Sequence, residues 1–240
     1  GTSFNSSEGS GIAVLDTIPR ASSVKCESGN IGEKTTISID RKADNFKHTL
    51  KYEFGNLSGI ITKNVEKSYV WTIPTSFYSQ IPNSNTGKGT ITCETYNGST
   101  LIGTTTCEFS VKVINSNPQI GKVYYADTND DVVKITGNNQ RIVRNLSLLL
   151  VTVENVTAKN SATITECSVT FNNVTVKNKG AGTFGFSSIN LSSNAKAVIK
   201  ATDSRGNITT TQKDIIIDDW EMPSASIDSV SYTHLRAHET

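Results

Sequence analysis

The sequence is poor in the residues that most often carry chemistry. Among its 240 residues there are three histidines, four cysteines, two tryptophans and one methionine. No two cysteines form a Cys-x-x-Cys pair, which argues against a zinc site. Nucleophilic catalysis pairs a serine or cysteine with a base that is often histidine, so these scarcities argue against it.

The chain also lacks an excess of charge and a long apolar run. It has 23 Lys and Arg against 22 Asp and Glu, a net charge of +1. A protein that binds nucleic acid is expected to have a basic face, and one that binds a membrane surface a polybasic segment. No apolar run approaches the roughly 20 residues that a membrane helix needs. We therefore expect neither nucleic acid nor a membrane as a partner.

The two ends of the chain indicate a fragment of a longer protein. It starts at Gly1 without Met and shows no signal peptide. At the other end, Val230–Thr240 resembles the read-through translation of a transposon-based sequencing adapter, so we exclude it from fold reasoning. This exclusion leaves His48 as the one histidine to consider.

A proline-containing linker recurs along the chain. It occurs as residues 17–24, returns in altered form as residues 117–123, and returns again as residues 222–227. Pro19 and Pro118 are 99 residues apart, and Pro118 and Pro223 are 105 apart. Such a period indicates tandem modules, and it matches the roughly 100 residues of an immunoglobulin-like β-sandwich.

Alternation of apolar and polar residues dominates between the linkers. Residues 46–54 are typical, with apolar side chains or His48 at every second position, and no segment sustains a 3.6-residue period. Seven or eight short strands per module predict an all-β protein of two tandem immunoglobulin-like sandwiches. The predicted parts are 1–17 as the last strand of a truncated module, 18–113 and 114–221 as the two sandwiches, 222–229 as the start of a truncated next module, and 230–240 as the adapter artefact.

Several local predictions accompany this architecture. Residues 74–82 lie between two prolines and are expected to hold one helical turn, with Phe77 and Ile81 covering the end of the first sandwich. Residues 132–135 are expected to be a strand after the polar turn 127–131, and residues 180–185 a loop or bulge.

The four cysteines are expected to be free. Asn97-Gly98 is a strong hairpin signal, and a hairpin about it places Cys93 opposite Ile102, five residues short of Cys107. Five residues of strand span about 16 Å, which is too far for a disulfide. Cys26, Cys93, Cys107 and Cys167 all share the apolar face of their strands, so we interpret them as small buried hydrophobic residues in a reducing compartment.

Few residues are candidates for a site, and each has an ordinary structural explanation. His48 is interpreted as a packed or edge histidine. Residues 127–131 begin like a calcium loop but lack its later Gly and Glu, so a polar turn is preferred. Asp218, Asp219 and Glu221 form an acidic cluster that a cation could bind, although a solvated turn is preferred. Glycosylation sequons are frequent, and we attribute them to an Asn- and Thr-rich composition. Among them are those that begin at Asn56, Asn97, Asn145, Asn155, Asn173, Asn190 and Asn207. No catalytic, cofactor or metal site is predicted, and no cofactor.

Four phrases together resemble a known family. They are Ile18-Pro-Arg-Ala-Ser-Ser, Tyr69-Val-Trp-Thr-Ile-Pro, Gly89-Thr-Ile-Thr-Cys-Glu-Thr-Tyr-Asn-Gly98 and Ala201-Thr-Asp-Ser-Arg-Gly-Asn207. The chain, over about residues 10–229, is similar to a siphovirus tail protein family of unknown function, from phages of Gram-positive bacteria. The resemblance implies a minor structural protein of the virion with immunoglobulin-like modules. It implies no catalytic or binding residue.

These observations favour a non-enzymatic component of a phage tail, tail fibre or tail tip, assembled in the host cytoplasm. Its modules would act as spacers or in host attachment. Candidate partners are other tail proteins, a host cell-wall polysaccharide and further copies of the chain in a homotrimer. Two alternatives remain: the stalk of a bacterial cell-surface adhesin, and accessory modules of a carbohydrate-active enzyme whose catalytic domain lies elsewhere.

Overall fold

A computed structural model describes residues 20–220, which form two compact units. The first contains residues 20–117 with Ala158–Thr163 and Asp203–Asn207, and the second contains the remaining described residues. The predictions for 1–17, 222–229 and 230–240, and that for Glu221, lie outside the described residues.

The first unit has eight strands and a short helix. The strands are β1 Ser23–Cys26, β2 Gly29–Asn30, β3 Lys34–Asp40, β4 Phe46–Phe54, β5 Leu57–Val65, β6 Ser68–Thr72, β7 Thr86–Asn97 and β8 Thr100–Lys112. They form a three-stranded sheet of order β1-β3-β6 and a five-stranded sheet of order β2-β8-β7-β4-β5. All pairs are antiparallel except β2 with β8, which is parallel.

One hydrophobic core lies between these two sheets. Alternate residues of each strand face it, as the burial of Ile37 and Ile39 on β3 and of Leu50 on β4 shows. The 3₁₀ helix Thr75–Gln80 confirms the predicted helical turn, and its Phe77 is fully buried. The ring of Phe77 stacks on Phe54 at 4.3 Å between centroids. This helix therefore contributes to the core as well as connecting β6 to β7.

A buried cation also belongs to the first unit. Arg205, in the segment Asp203–Asn207, is 8% exposed. Its guanidinium donates hydrogen bonds to the carbonyl oxygens of Tyr78 at 3.1 Å, Ile81 at 3.1 Å and Lys159 at 3.2 Å. Burial lowers the pKa of Arg205. Carbonyl acceptors offset the cost of removing this charge from water.

The second unit also has eight strands. They are β9 Val123–Asp127, β10 Arg141–Val143, β11 Leu149–Val153, β12 Ile164–Phe171, β13 Val174–Asn178, β14 Gly182–Phe186, β15 Ala195–Asp203 and β16 Ile208–Asp218. The three-stranded sheet has the order β14-β11-β9 and the five-stranded sheet β10-β16-β15-β12-β13. A separate core includes Val151 on β11, Val169 on β12 and Ile199 on β15.

The two units repeat one topology. Replacing β1–β8 by β9–β16 in order converts the first pair of sheets into the second, including the short strand that pairs in parallel with the last strand. The prediction of two tandem immunoglobulin-like sandwiches is confirmed. Each unit also ends in the predicted hairpin, formed by β7–β8 and by β15–β16.

Two local predictions in the second unit are wrong. Residues 132–135 are part of a helix, α1 Asp130–Thr136, instead of a strand. Asn129 accepts a hydrogen bond from the Asp131 N–H, and Gly137 ends the helix with a positive φ of 64°. These two caps provide hydrogen bonds for the backbone groups at the helix ends, and this favours a helix over a strand here. A loop or bulge is predicted for residues 180–185, but most of this segment belongs to β14, Gly182–Phe186.

The Asn97-Gly98 hairpin exists, but its predicted register is wrong. Asn97 pairs with Thr100, so Gly98 and Ser99 form the turn, and a bulge follows between Thr95 and Tyr96. Gly98 has a φ of 58°, which glycine adopts without strain. Both changes shift the second strand relative to the first.

The shifted register alters the reason for free cysteines while the conclusion stands. Cys93 pairs with Thr105, two residues from Cys107 instead of five. All four cysteines are nevertheless free; Cys93 and Cys167 are buried, and Cys26 and Cys107 are half-buried. Burial raises the pKa of Cys26 and of Cys93 to about 11, so both thiols stay protonated near neutral pH.

Candidate functional site: a polar cleft on the first sandwich

A polar cleft lies on the outer face of the five-stranded sheet in the first unit. Its volume is about 380 Å³. The residues that line it are Lys47, His48, Thr49, Lys51, Ile60, Lys63, Asn64, Glu94, Tyr96 and Gly98. Most of these residues are polar, and all except Gly98 come from β4, β5 and β7.

Strand register brings the central residues of this cleft together. On β4, His48 and Leu50 face the core, so Lys47, Thr49 and Lys51 face outward. Thr49 lies directly opposite Glu94. Lys47 lies directly opposite Tyr96 on the same strand pair.

An irregularity between β4 and β5 shapes one wall. The pairing of these strands shifts on both sides of Leu50. Asn64 lies in the same region with a φ of 61°, and Lys63 beside it is exposed. Bulges bend a strand and redirect its side chains, which accounts for a concavity on an otherwise regular sheet.

Glu94 is the most constrained polar group in the cleft. Lys51 donates a hydrogen bond to one carboxylate oxygen, and the Tyr96 hydroxyl donates to the other at 3.0 Å. The hydrogen bond from Lys51 lowers the pKa of Glu94 and raises that of Lys51. The carboxylate is therefore ionised and held in place near neutral pH.

The cleft has more positive than negative charge. Three lysines and one glutamate line it. Lys47 pairs with Glu66, and Lys51 with Glu94. Lys63 has no ion pair within residues 20–220, although its charge helps to lower the pKa of Glu94.

His48 lies beneath this cleft and is 1% exposed. Its Nδ1 lies 2.9 Å from the Val65 carbonyl oxygen, which accepts a hydrogen bond, and its Nε2 lies 2.9 Å from Ser22 Oγ. Burial lowers the pKa of His48, so the ring is neutral near pH 7. The interpretation of His48 as a packed histidine is confirmed. Both ring nitrogens are occupied, and neither is free for catalysis.

Residues 127–131 lie where β9 ends and α1 begins. The buried Asp127 carboxylate accepts hydrogen bonds from Ser147 Oγ at 2.5 Å and from the N–H groups of Leu148 and Asn129. The preferred interpretation, a simple polar turn, is wrong, because this segment leads into α1. In residues 20–220 no group of three or more acidic, histidine or cysteine side chains is placed to hold a metal ion.

Arginines neutralise the predicted acidic cluster. Arg141 Nε donates to Asp218 at 2.6 Å, and Arg144 pairs with Asp219 at 3.0 Å. The carboxylates are therefore used in ion pairs inside the second unit. Nothing in the pattern of residues 218–221 signals these partners, which lie more than 70 residues earlier.

Three of the sequon asparagines adopt a left-handed backbone conformation. Seven of the nine non-glycine residues with positive φ in the described chain are asparagines, and Asn145, Asn155 and Asn173 are among them. Asparagine tolerates this left-handed conformation better than most residues. The demand for such turns gives the Asn-rich composition a physical cause.

A second concavity, in the second unit, is apolar. It has a volume of about 440 Å³, and Val132, Ile135, Leu146 and Trp220 are among the residues that line it. Its Asp218 and Asp219 are committed to the arginine pairs described above. It therefore offers contact area without free polar groups, and the polar cleft is the better candidate site.

No helix in residues 20–220 is long and apolar enough to cross a membrane.

Sheet order and core composition together define a tandem immunoglobulin-like β-sandwich protein. Comparison with protein families then identifies the particular group. A model described as "Siphovirus protein of unknown function (DUF859)" matches residues 5–233, and the chain belongs to this family. The resemblance found in the sequence is confirmed, with slightly wider limits. No curated protein matches the chain.

Solved structures with some similarity include fibronectin(III)-like modules, immunoglobulin domains and an adhesin. The fibronectin(III)-like modules of Clostridium thermocellum CbhA are 11% identical, with 85% of this chain and 100% of that chain covered and a TM-score of 0.33. The two immunoglobulin domains of DIP-gamma are 7% identical, with 82% and 95% covered and a TM-score of 0.33. A bacterial ice-binding adhesin is 16% identical, with 83% and 66% covered and a TM-score of 0.31. These TM-scores are low, so the fold assignment depends on the strand order above.

Proposed function

We propose that this chain is a non-enzymatic structural component of a siphovirus tail, tail fibre or tail tip. Its sandwiches, with proposed limits 18–113 and 114–221, serve as spacers or in attachment to the host. The observation that carries this proposal is membership of a siphovirus family by a chain built from one repeated β-sandwich. A protein built from repeated copies of one module can be lengthened by adding further copies of the same module.

The chemistry of the side chains supports a non-enzymatic role. His48 is buried with both ring nitrogens occupied, and burial raises the pKa of each cysteine thiol. Neither group is activated as a base or nucleophile. Free cysteines also agree with assembly in the reducing cytoplasm of the host. We propose the virion as the final location, and other tail proteins or two further copies of the chain as partners.

Virion composition tests this proposal. An antibody against the full chain is applied to purified particles of a phage that carries the gene, with immunogold detection by electron microscopy. We expect label on the tail and none on the capsid. An isogenic phage with the gene deleted is the matched control. Absence of the chain from intact virions, or its presence in the envelope of uninfected cells, would contradict a tail role and favour the adhesin.

A further inference from the structure

We propose that the polar cleft on the first sandwich binds an anionic saccharide. This proposal deepens the proposed function and rests on it, because it assigns a host-attachment role to one named surface. The first step is that this surface is a formed concavity. Shifted pairing around Leu50 and the positive φ of Asn64 create a cleft where a regular sheet would be nearly flat.

The second step concerns the hydrogen-bonding groups. Sugar hydroxyls are both donors and acceptors, so a saccharide site needs both kinds of partner, in fixed positions. Glu94 supplies an acceptor that Lys51 and Tyr96 hold in place, and each carboxylate oxygen retains a further lone pair. The Thr49 hydroxyl and the Asn64 amide add both functions beside it. Such preorganised polar groups reduce the entropic cost of binding.

The third step concerns apolar contact. Ile60, at 55% exposed, and the half-buried Tyr96 ring both line the cleft. The Tyr96 hydroxyl is fixed by Glu94, which limits rotation of the ring. Sugar rings have apolar C–H faces that pack on surfaces of this kind. A cleft with a few fixed polar groups and an aromatic wall is typical of small-ligand sites.

The fourth step is the charge. With Lys47 and Lys51 paired, Lys63 remains as a cation without an ion pair in residues 20–220. A phosphate or carboxylate on the ligand would supply its partner, and charge-assisted hydrogen bonds are the stronger kind. The shared chemistry is therefore a sugar unit that carries an anionic group. A phosphodiester-linked wall polymer and a uronic-acid polymer both provide it.

Calorimetric titration of the full chain tests the proposal. The probes are a glucosylated poly(glycerol phosphate), an oligogalacturonate and a neutral maltooligosaccharide. We expect one or both anionic probes to bind, and which of them binds identifies the source of the anion. Binding of the neutral probe alone, or of none, would overturn the proposal.

Two variants separate a formed site from simple charge attraction. Lys63→Ala removes the unpaired cation and is expected to weaken binding about tenfold, as for loss of a hydrogen bond to a charged group. Glu94→Gln makes the cleft more positive but replaces one of the two fixed acceptor oxygens by an NH2 donor, and we also expect about tenfold weaker binding. Tighter binding by Glu94→Gln would indicate that the ligand is attracted by charge alone, and it would contradict the proposal that the cleft is a formed saccharide site.

Matched controls lie on the same sheet. Lys88 and Glu108 form an ion pair on β7 and β8 outside the cleft. Lys88→Ala and Glu108→Gln should leave affinity unchanged, and equal loss in these variants would count against the cleft. Thermal unfolding of every variant checks folding. Virion labelling does not depend on saccharide binding, so the two proposals can fail separately. If the chain is found in tails but binds no probe, only the proposal of saccharide binding at the cleft is contradicted. If the chain binds a probe but is absent from virions, only the tail role is contradicted.

Discussion

His48 shows how a buried polar group is accommodated in the first sandwich. Its ring contacts Ser22 Oγ on one side and the Val65 carbonyl on the other. Ser22 is itself fully buried, and its carbonyl oxygen accepts a hydrogen bond from Thr105 Oγ1 at 2.6 Å. The network joins the segment before β1 to the five-stranded sheet. Because the His48 imidazole is buried in its neutral form, the free energy of unfolding should depend on pH.

Stability of the native chain should fall as pH drops below about 6.5. Burial lowers the pKa of His48 in the folded state, whereas the unfolded imidazole titrates near about 6.5. Below that pH the unfolded state takes up a proton that the folded state does not, so unfolding is favoured until the folded pKa is passed. His48→Gln should remove this part of the pH dependence between pH 7 and pH 5.

Thermal unfolding of both chains across this range provides the measurement. His234 and His238 are present in both proteins, so their titration cancels in the comparison. Parallel pH profiles for the two chains would contradict a buried neutral His48.

Gly89→Ala should destabilise the first sandwich by about 1–3 kcal/mol. An added Cβ would lie 2.5 Å from the Phe109 ring and 2.6 Å from the Glu53 carbonyl oxygen. Phe109 is buried and backbone cannot easily move, so both neighbours resist displacement. Chemical denaturation measures the free energy of unfolding.

Gly185→Ala on β14 is the matched control for this substitution. The nearest neighbour of the added Cβ would be Leu150 Cδ1 at 3.9 Å, an ordinary contact. Alanine there should be neutral or stabilising by up to about 1 kcal/mol, because it reduces backbone entropy in the unfolded state. Equal effects at the two glycines would contradict the packing argument.

Individual side chains could be predicted in part from alternation alone. The burial of His48, Leu50 and Cys93 follows from the alternation of buried and exposed positions along β4 and β7. Their partners do not follow from it. Ser22 meets His48 across 26 residues of chain, and Lys51 meets Glu94 across 43. Register determines these pairs, and one bulge is enough to change it.

Helix α1 shows why one element was assigned wrongly. Its seven residues are too few for a 3.6-residue period to be distinct from alternation. The signals that distinguish it are local: Asn129 before its start, Asp130 and Asp131 in its first turn, and Gly137 after its end. Each is a favourable cap or dipole partner. The paired caps therefore indicate this helix, whereas periodicity does not.

Asn129→Ala should destabilise the second sandwich by about 1 kcal/mol, within the usual range for loss of an N-cap. The Asn129 side chain accepts from the Asp131 N–H and donates to the Leu146 carbonyl at 2.8 Å, and alanine removes both bonds. Asn129→Ser keeps a capping oxygen and should give an intermediate stability. Urea unfolding ranks the three chains. A serine variant no better than alanine would indicate that the cap contributes little.

The strands of the sheets were easier to predict than their edges. Long strands such as β4 and β7 have enough alternating residues to stand out. Strands β2 and β10 have only two and three residues, and each takes its conformation from parallel pairing with the last strand of its unit. Tertiary pairing of this kind leaves no pattern in so short a segment.

At the scale of the whole molecule, spacing of the linkers predicted two modules, and strand order shows that they share a topology. Each unit has its own core, the first with Leu50 at 0% exposed and the second with Leu149 at 1%. The polar cleft could not be predicted, because its residues come from three strands whose register depends on bulges. Separate cores imply that damage to one should be felt mainly within its own unit.

A matched pair of core substitutions tests this separation. Leu50→Ala and Leu149→Ala delete the same atoms from equally buried sites, and each should cost about 2–5 kcal/mol. Hydrogen exchange by mass spectrometry then reports protection strand by strand. Leu50→Ala should speed exchange in β3, β4 and β7 and leave β11, β12 and β15 unchanged, and Leu149→Ala should do the reverse. Trp220 belongs to the second unit, so fluorescence is measured in a Trp220→Phe background. The fluorescence of Trp71, which is buried in the first core, should then follow the first unit alone. Loss of protection in both units after either substitution would show that the two sandwiches unfold as one cooperative body, and a repeated module would then be a unit of architecture without being a unit of stability.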